Sequence, residues 1–272
     1  MKLLVNHMDI EAIKREIESL ISDDPAPKAA VPAEKTPAGY TPSTELPRYD
    51  VVTGADVVGH LEHSLLNPDT TLDTIMRECA VARRLGCAAV CVAPYYVPAA
   101  KIALSGSTVA VGTAVGFPHG CMSAAAKLAE LRECIANGAQ EIDVALNNLA
   151  IKSGKLDEAR EELEQVLALC KGRALVKVVF EHSIFDEDEK KDVLKMLRSC
   201  GVTFIKIQNM LSGHGARVED VQLAAGVLGR HVEIKIDGGI KTLQQAQQLL
   251  AAGASRLGLT ATAKIAAEAG VR

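Results

Sequence analysis

From about residue 50 onward, short apolar runs alternate with longer segments of helical periodicity. Eight runs have the length and composition of buried strands: residues 59–63, 88–92, 109–115, 141–146, 175–180, 204–207, 233–236 and 256–259. An alternation of strands and helices repeated about eight times is typical of a closed parallel barrel. We therefore predict a TIM-type (β/α)8 barrel, an α/β fold, over residues 50–272.

Glycines mark the ends of several helical segments. The helical patterns lie at 72–85, 123–137, 156–170, 186–200, 218–228 and 242–252, and four of them are followed at once by Gly86, Gly138, Gly201 or Gly253. Glycine closes a helix in the left-handed conformation without steric cost, because it has no Cβ.

An open, doubly wound sheet is the alternative architecture, and periodicity alone does not distinguish it from a barrel. The chain has no Gly-x-Gly-x-x-Gly motif after the first predicted strand. That absence weakens the alternative for a nucleotide-binding protein. In a barrel, functional residues are expected where the strands end and the following loops begin.

The first 49 residues follow a different pattern. Apolar side chains at steps of three and four within residues 8–24 predict a short amphipathic helix, so we assign residues 1–24 to a targeting or docking helix. Residues 25–49 contain six of the ten prolines together with Ala, Lys, Glu and Thr, a mixture that cannot form a packed core. We expect this second segment to be a flexible linker.

Composition argues against several functional classes. The formal net charge is −4 and no segment concentrates Lys and Arg, so we expect a small-molecule partner and no nucleic acid. No apolar run reaches the ~18 residues needed to cross a bilayer, so we expect no membrane partner. The seven cysteines lack a Cys-x-x-Cys pair and the histidines lack metal-ligand spacing, which indicates reduced thiols, no metal and a cytoplasmic location.

Three ionisable residues fall within the strand-like runs, where a charge is costly unless it is paired or used. They are Asp143, Lys206 and Lys235. Because Lys206 and Lys235 belong to consecutive predicted strands, their side chains are expected to enter the same lumen close together. Repulsion between two ammonium groups and burial would each lower a lysine pKa, and a neutral amine is the form that attacks a carbonyl.

This constellation fits imine chemistry that needs no cofactor. Asp143, from the fourth predicted strand, would accept and return protons during carbinolamine dehydration and enamine formation. The alternative is structural, with each lysine forming an interior salt bridge to Asp143 or Glu181. The pattern alone leaves both interpretations open.

Five short motifs lie along the predicted barrel. They are Cys-Val-Ala-Pro-Tyr-Tyr-Val at 91–97, Val-Gly-Phe-Pro-His-Gly at 115–120, Glu-Ile-Asp-Val at 141–144, Val-Lys-Val-Val-Phe-Glu at 176–181 and Lys-Ile-Asp-Gly-Gly-Ile at 235–240. In order and spacing they resemble the motifs of the deoxyribose-phosphate aldolase family. The resemblance implies a class I aldolase that reversibly cleaves 2-deoxyribose 5-phosphate into acetaldehyde and glyceraldehyde 3-phosphate, with neither a metal nor an organic cofactor.

The resemblance also implies roles for individual residues. Lys206 would be the Schiff-base lysine, Lys235 the second lysine that lowers its pKa, and Asp143 the acid/base partner. Substrate contacts would come from Cys91, Gly238, Gly239, Gly258 and Thr260. A cysteine that ends an apolar strand is more often core packing, which is the alternative for Cys91.

Other matches also have structural alternatives. Lys177 and Glu181 match family residues that line the barrel, and they would complete its internal charge network. Glu62, His63 and Ser64 end the first predicted strand, where the family usually has an acidic residue and Thr. A solvated loop is the equal alternative there.

The chain departs from the family pattern near the expected phosphate site. The family usually continues Thr-Ser-Thr-Gly after its Schiff-base lysine, whereas residues 207–210 are Ile-Gln-Asn-Met. Asp237 occupies a position where the family often has Ser, and its carboxylate would repel a phosphate dianion. Glycine backbone amides, as at Gly238, remain for an anion. We therefore expect imine chemistry with an altered or unphosphorylated acceptor aldehyde.

The N-terminal helix and linker resemble the encapsulation peptides that recruit enzymes into bacterial microcompartments. The apolar stripe within residues 8–24 would bury against a shell or core protein by helix-in-groove docking. The alternative is that this helix packs on its own barrel or on a neighbouring subunit. A homodimer is the expected assembly.

Two functions from different classes remain. The first is an active aldolase of the deoxyribose-phosphate type, which acts on a small aldehyde or sugar phosphate. The second is a catalytically altered or silent barrel that binds a sugar phosphate or serves as a scaffold in an assembly. The intact set of Lys206, Lys235 and Asp143 favours the first.

Overall fold

A computed structural model describes residues 52, 54–229 and 231–271. Eight parallel strands form a closed barrel in chain order, and β8 pairs with β1 through Leu257 and Leu61. The strands are β1 (Leu61–Leu65), β2 (Ala89–Val92), β3 (Ala110–Val115), β4 (Glu141–Ala145), β5 (Leu175–Glu181), β6 (Phe204–Gln208), β7 (Glu233–Asp237) and β8 (Arg256–Leu259). The predicted barrel is confirmed. The helix and linker predicted within residues 1–49 lie outside the described residues.

Helices connect the strands. They are α1 (Leu72–Leu85), α2 (Val97–Ala103), α3 (Ala124–Asn137), α4 (Asn148–Lys152), α5 (Leu156–Cys170), α6 (Glu187–Ser199), α7 (Val218–Leu228), α8 (Leu243–Ala251) and α9 (Thr262–Glu268). The predicted limits agree fully for α1, α5 and α7. The short helices α2 and α4 were not predicted, because so few residues do not show a helical period. None of the helices described is long and apolar enough to span a membrane.

The first strand begins two residues later than predicted. Residues Asp56–His60 form a 3-10 helix, and β1 follows at Leu61. Glu62, His63 and Ser64 therefore lie inside a strand, with Glu62 fully buried. The alternative of a solvated loop is wrong, and the Glu62 carboxylate contacts Lys177 and Lys235 inside the barrel.

The predicted glycine ends of helices are confirmed. Gly86 and Gly138 close α1 and α3 in the left-handed conformation, with φ angles of 72° and 103°. Their amides donate to carbonyls of the last helical turn, which otherwise lack partners. Thr71 and Ser123 begin the same two helices, each with its hydroxyl accepting an amide three residues on.

A loop of residues 116–123, which we call the β3–α3 loop, lies close to the lumen. Gly116 N donates to Glu130 Oε2 at 2.8 Å, and Gly120 N donates to Gly116 O at 2.7 Å. Farther along, Asn148 Nδ2 donates to His119 O at 3.1 Å. These contacts fix the loop against α3 and α4, and they hold the Phe117 ring near the barrel interior.

Gly120 is the position in this loop where a side chain is least tolerated. Its φ is 67°, and an added Cβ would lie 1.7 Å from Leu146 O. We expect Gly120→Ala to lower the free energy of unfolding by at least about 2 kcal/mol, from left-handed strain and from overpacking. The urea midpoint measures this loss.

Gly154→Ala is the matched control, because its φ of 75° is similar but no atom lies within 4 Å of the added Cβ. It should lose only about 1 kcal/mol from backbone strain. Equal losses in the two variants would show that the β3–α3 loop moves away from Leu146 without cost.

Candidate active site

Strand register brings the predicted site residues together. Lys206 on β6 pairs with Lys235 on β7, and Asp143 on β4 pairs with Lys177 on β5. Side chains alternate along a strand, so residues two apart face the same side. Lys235 and Asp237 are two apart, and Lys235 Nζ lies 3.7 Å from Asp237 Oδ1. The expectation that the two site lysines enter one lumen is confirmed.

Lys206 is the central cation of this site. Its side chain is only 1% exposed, yet its Nζ contacts two carboxylates. Asp237 Oδ2 lies 2.6 Å away and Asp143 Oδ2 lies 3.0 Å away. The Phe117 ring lies above the same ammonium group, 5.1 Å from Nζ to the ring centroid.

Asp143 is fully buried and is surrounded by ammonium groups. Its Oδ2 lies 2.7 Å from Lys235 Nζ, and its Oδ1 lies 3.3 Å from Lys177 Nζ. Burial by itself raises the pKa of this carboxyl, but Lys235, Lys206 and Lys177 together hold the pKa well below its usual range. Asp143 therefore stays an anion that binds protons weakly.

The charge network extends below these residues. Among the described residues it joins four carboxylates to four cations: Glu62, Glu141, Asp143 and Asp237 with Lys177, Lys206, Lys235 and Arg256. Lys177 Nζ lies 2.9 Å from Glu62 and 2.6 Å from Glu141. Arg256 lies 3.0 Å from Glu141 and 3.3 Å from Glu62.

Glu62 also pairs with Lys235 through Oε1, whereas its Oε2 contacts Lys177. Burial raises the pKa of Glu62, but Lys177 and Lys235 outweigh it and lower the pKa to about 2. Sequence reasoning missed Glu141 and Arg256 as members of the network. Their positions in the sequence could have indicated this. Glu141 lies two residues before Asp143 and Arg256 two residues before Gly258, so each side chain faces inward on its strand.

The expected lowering of the lysine pKa values is wrong for this structure. Burial lowers the pKa of Lys206 and so does Lys235, but Asp237 and Asp143 raise it above its ordinary value. Burial likewise lowers the pKa of Lys235, and Asp143, Asp237 and Glu62 raise it well above the ordinary value. Both groups are therefore ammonium ions, and Lys206 must lose a proton before it can attack a carbonyl.

The structural alternative for the lysines agrees with the geometry in one respect. Both Lys206 and Lys235 form interior salt bridges with Asp143. Glu181 has other contacts, because its Oε2 accepts from Met210 N at 3.2 Å and its other oxygen contacts Ser183. An ion pair of this kind is compatible with a reactive lysine, since it also fixes the position of the amine.

Cys91 lies in the same lumen but is not exposed to solvent. Its side chain is fully buried on β2, and burial raises the pKa of the thiol, as do Asp143 and Glu62. The thiol is therefore neutral and a poor nucleophile. These properties favour the packing alternative, while a substrate contact for Cys91 stays a prediction.

Gly238 and Gly239 follow β7 with φ angles of 106° and 69°. Both are exposed, and they line a cavity of about 220 Å³. Gln245 and Gln248 of α8 and the loop residues 214–216 complete most of its wall. Lys206 does not line this cavity.

Gly258 and Thr260 have different surroundings. Gly258 is buried and pairs with Asp237 across β8 and β7, whereas Thr260 is exposed just beyond β8. Their predicted substrate contacts, like those of Gly238 and Gly239, stay predictions. The nearby Thr262 hydroxyl lies 2.7 Å from His63 Nδ1, which fixes the start of α9 against β1.

The divergent segment 207–210 is held by carboxylates of the chain itself. Met210 N donates to Glu181, as described above, and Asn209 Nδ2 donates to Asp220 Oδ2 at 2.8 Å. Asp220 Oδ1 in turn lies 3.1 Å from His182 Nδ1. The turn after the Schiff-base candidate is thus stabilised internally by negative groups.

Glu62, Cys91 and Asp143 each offer one ligand atom within a 4.8 Å cluster. Lys235 contacts both carboxylates, and Lys177 contacts them as well. A metal ion at this cluster would have to displace those ammonium groups. The donor set therefore fits a lysine site better than a metal site.

Comparison with known proteins gives consistent matches. A model of the DeoC/LacD family of aldolases matches residues 59–265. A deoxyribose-phosphate aldolase of Staphylococcus carnosus is 36% identical over 210 residues, which cover 77% of this chain and 95% of the relative. A deoxyribose-phosphate aldolase of Caldicellulosiruptor saccharolyticus is 34% identical over 219 residues, which cover 80% of this chain and 100% of the relative.

Solved structures agree with these matches. The aldolase QR15 superimposes with a TM-score of 0.72 at 32% identity, covering 78% of this chain and 95% of its own. A deoxyribose phosphate aldolase from Aeropyrum pernix, at 22% identity, has the same fold with a TM-score of 0.72 over 78% of this chain and 90% of its own. From the family match over nearly the whole barrel, the chain belongs to the DeoC/LacD family of aldolases.

Proposed function

We propose that this chain is a class I aldolase in which Lys206 forms a Schiff base with the carbonyl of its substrate. The observation that carries the proposal is the placement of the Lys206 ammonium group between two carboxylates, next to Lys235 on the adjoining strand. Such a lysine can exchange a proton locally before it attacks. The relatives named deoxyribose-phosphate aldolase support aldol cleavage as the reaction.

In this proposal Lys235 and Asp143 position the reacting lysine. Asp143 Oδ2 contacts both ammonium groups at 3.0 and 2.7 Å, so it holds Lys206 at a fixed place in the lumen. Once Lys206 becomes an iminium ion, the same carboxylate stabilises the new positive charge. The acid/base role of Asp143 suggested by the resemblance stays a prediction, because three ammonium groups weaken its affinity for a proton.

The proposed reaction is a retro-aldol cleavage of a 2-deoxy sugar. The Lys206 amine adds to the C1 aldehyde and water leaves, which gives an iminium ion. A base removes the proton of the C3 hydroxyl, the C2–C3 bond breaks, and its electron pair forms an enamine on Lys206 while the acceptor aldehyde departs. Protonation and hydrolysis of the enamine release acetaldehyde and restore the lysine.

A second candidate is the silent barrel. It is favoured by one observation, namely that Lys206 is both buried and paired as an ammonium ion beneath Phe117. A carbonyl needs access to this buried Nζ before it can react. The two candidates differ in whether Lys206 can be trapped as an imine.

Reductive trapping distinguishes these candidates. Borohydride added with 2-deoxyribose 5-phosphate, or separately with acetaldehyde, should leave a reduced adduct on Lys206, found by peptide mass spectrometry. We expect Lys206→Met to lose the adduct and at least 10²-fold in turnover, because the covalent step is removed. Lys195→Met, which removes an exposed ammonium group paired with Asp192, should keep both. Absence of an adduct from the unmodified chain would establish the silent barrel.

We further propose that the acceptor aldehyde need not carry phosphate. Asp220 and Glu181 already hold the segment 207–210, and Asp237 adds a third carboxylate beside Gly238. Large apolar side chains are exposed in the loops or helices that follow β2, β3, β4 and β6: Tyr95, Met122, Leu149, Met210 and Leu211. Carboxylates and apolar groups favour an uncharged molecule over a dianion.

Paired substrates test this specificity. The values of kcat/KM for 2-deoxyribose and for 2-deoxyribose 5-phosphate should agree within about tenfold, which is 1.4 kcal/mol of differential transition-state binding. Inorganic phosphate should not compete with either substrate. Strict dependence on the phosphorylated sugar, or competitive inhibition by phosphate, would rule out this part of the proposal.

We also propose that residues 8–24 dock to a microcompartment shell protein, by the helix-in-groove mode expected from their amphipathic pattern. Deletion of residues 1–47 should abolish recruitment to the shell, seen by fluorescence of a fused reporter, and should leave kcat/KM unchanged. Unaltered localisation of the truncated chain would refute the docking role. A homodimer and a cytoplasmic location stay predictions.

A further inference from the structure

The two carboxylates beside Lys206 differ in how many partners they have. Asp143 is fully buried and contacts three ammonium groups. Asp237 lies closer to Lys206, at 2.6 Å, while its Oδ1 is buried without a hydrogen-bond partner among the described residues and lies 3.7 Å from Lys235 Nζ. Asp237 therefore has fewer close ammonium partners than Asp143, and one of its oxygens accepts no hydrogen bond from the described residues.

Asp237 also lies between the buried network and solvent. Its side chain is 17% exposed, in contrast to 0% for Asp143. It is the last residue of β7, at the carboxyl end of the strand, which is the end where the active sites of parallel barrels lie. A proton held on this carboxylate can reach both the amine below it and a carbinolamine at the mouth of the lumen.

Gly258 provides the space for this carboxylate. Strand register pairs the two residues, and a Cβ at position 258 would lie 1.8 Å from Asp237 Oδ1 and 2.4 Å from its Cγ. Any larger residue at 258 would therefore displace the carboxylate from its place against Lys206. The position of the Asp237 carboxylate in β7 therefore depends on the glycine at position 258 in β8.

We propose that Asp237 is a catalytic residue that takes the proton of the Lys206 ammonium group and returns it when the carbinolamine loses water. This inference rests on the proposed Schiff-base function. The ammonium group gives H⁺ to the carboxylate, and the neutral amine adds to the carbonyl to form a carbinolamine. The carboxylic acid then protonates the departing hydroxyl, so one water and one iminium ion are formed and the Asp237 carboxylate is restored.

Every charged or titratable group that contacts or interacts electrostatically with Lys206 enters the pH dependence. Asp143 of β4 and Asp237 of β7 favour its ammonium form, as does Cys91 of β2, whereas burial and Lys235 disfavour it. Replacing Asp237 by a neutral side chain removes one of two carboxylates that favour the charged form. The pKa of Lys206 must then fall, and the pH dependence of imine formation must move to lower pH.

Trapping kinetics of the full chain test the proposal. The rate of adduct formation with acetaldehyde and cyanoborohydride is measured from about pH 5 to about pH 10, at intervals of roughly half a pH unit. The measurement is made for the unmodified chain and for Asp237→Asn. At neutral pH we expect the variant to be slower by about 10²-fold, as for loss of a general acid/base. Its remaining rate should reach half of its maximum at a lower pH than in the unmodified chain.

Chemical rescue separates catalysis from positioning. Asp237→Ala leaves a space beside Gly258, and added formate should raise its trapping rate by at least tenfold while leaving the unmodified chain unchanged. Glu233→Gln is the matched control, because it neutralises a carboxylate at the opposite end of the same strand. It should alter neither the rate nor the profile.

Two results would overturn the proposal. One is an Asp237→Asn rate and pH profile equal to those of the unmodified chain. The other is an Asp237→Asn variant that is slower but has an unchanged pH profile, together with an Asp237→Ala variant that formate does not rescue. That combination would leave Asp237 only a structural role. In both cases the adduct on Lys206 of the unmodified chain still forms, whereas failure of the proposed function removes that adduct as well.

Discussion

The barrel depends on mutual neutralisation of the charges inside its lumen. Four carboxylates and four cations of the described residues share a space that excludes most water, where a single unpaired charge is costly. Removal of one partner of such a buried pair typically costs about 3–5 kcal/mol. Parallel register decides which charges meet, as where Lys206 and Lys235 pair across two strands. Stability and the position of the Lys206 amine therefore depend on the same contacts.

This arrangement restricts how a lysine can become reactive. Neutral surroundings would lower its pKa, but here carboxylates raise it, so the amine must be freed by transfer of a proton within the site. The carboxylates are not equivalent for this purpose. Asp143 is fully buried and contacts three ammonium groups, which suits a fixed anion, whereas Asp237 is partly exposed and its Oδ1 has no hydrogen-bond partner among the described residues. The difference in burial and in the number of ammonium partners supports the proposed division between a carboxylate that holds Lys206 and a carboxylate that accepts its proton.

Much of the fold followed from the sequence because strand length, helical period and terminal glycines are local signals. The meeting of Lys206 with Lys235 was also predictable, since consecutive strands of a closed parallel barrel are neighbours. The direction of the lysine pKa shifts was not. For Lys235 it depends in part on Glu62, a carboxylate that reaches Lys235 across the barrel from β1. It depends also on Asp237, whose inward position requires the glycine opposite it on β8. Such cross-strand contacts have no local signature.

The same balance of charge bears on the substrate. Among the described residues, the four positive and four negative groups of the lumen are paired and leave no excess of positive charge to attract a dianion. Glu181 and Asp220 add negative charge where the segment 207–210 turns away from the strand. Two unit charges 4 Å apart repel by about 1 kcal/mol in water and by about 4 kcal/mol at an effective dielectric near 20. Under the proposed specificity, a phosphate group close to these carboxylates would have to offset repulsion of this order through backbone amides such as those near Gly238. An uncharged acceptor would have no such cost, and it would gain from contact with the exposed apolar side chains of the loops and helices after β2, β3, β4 and β6.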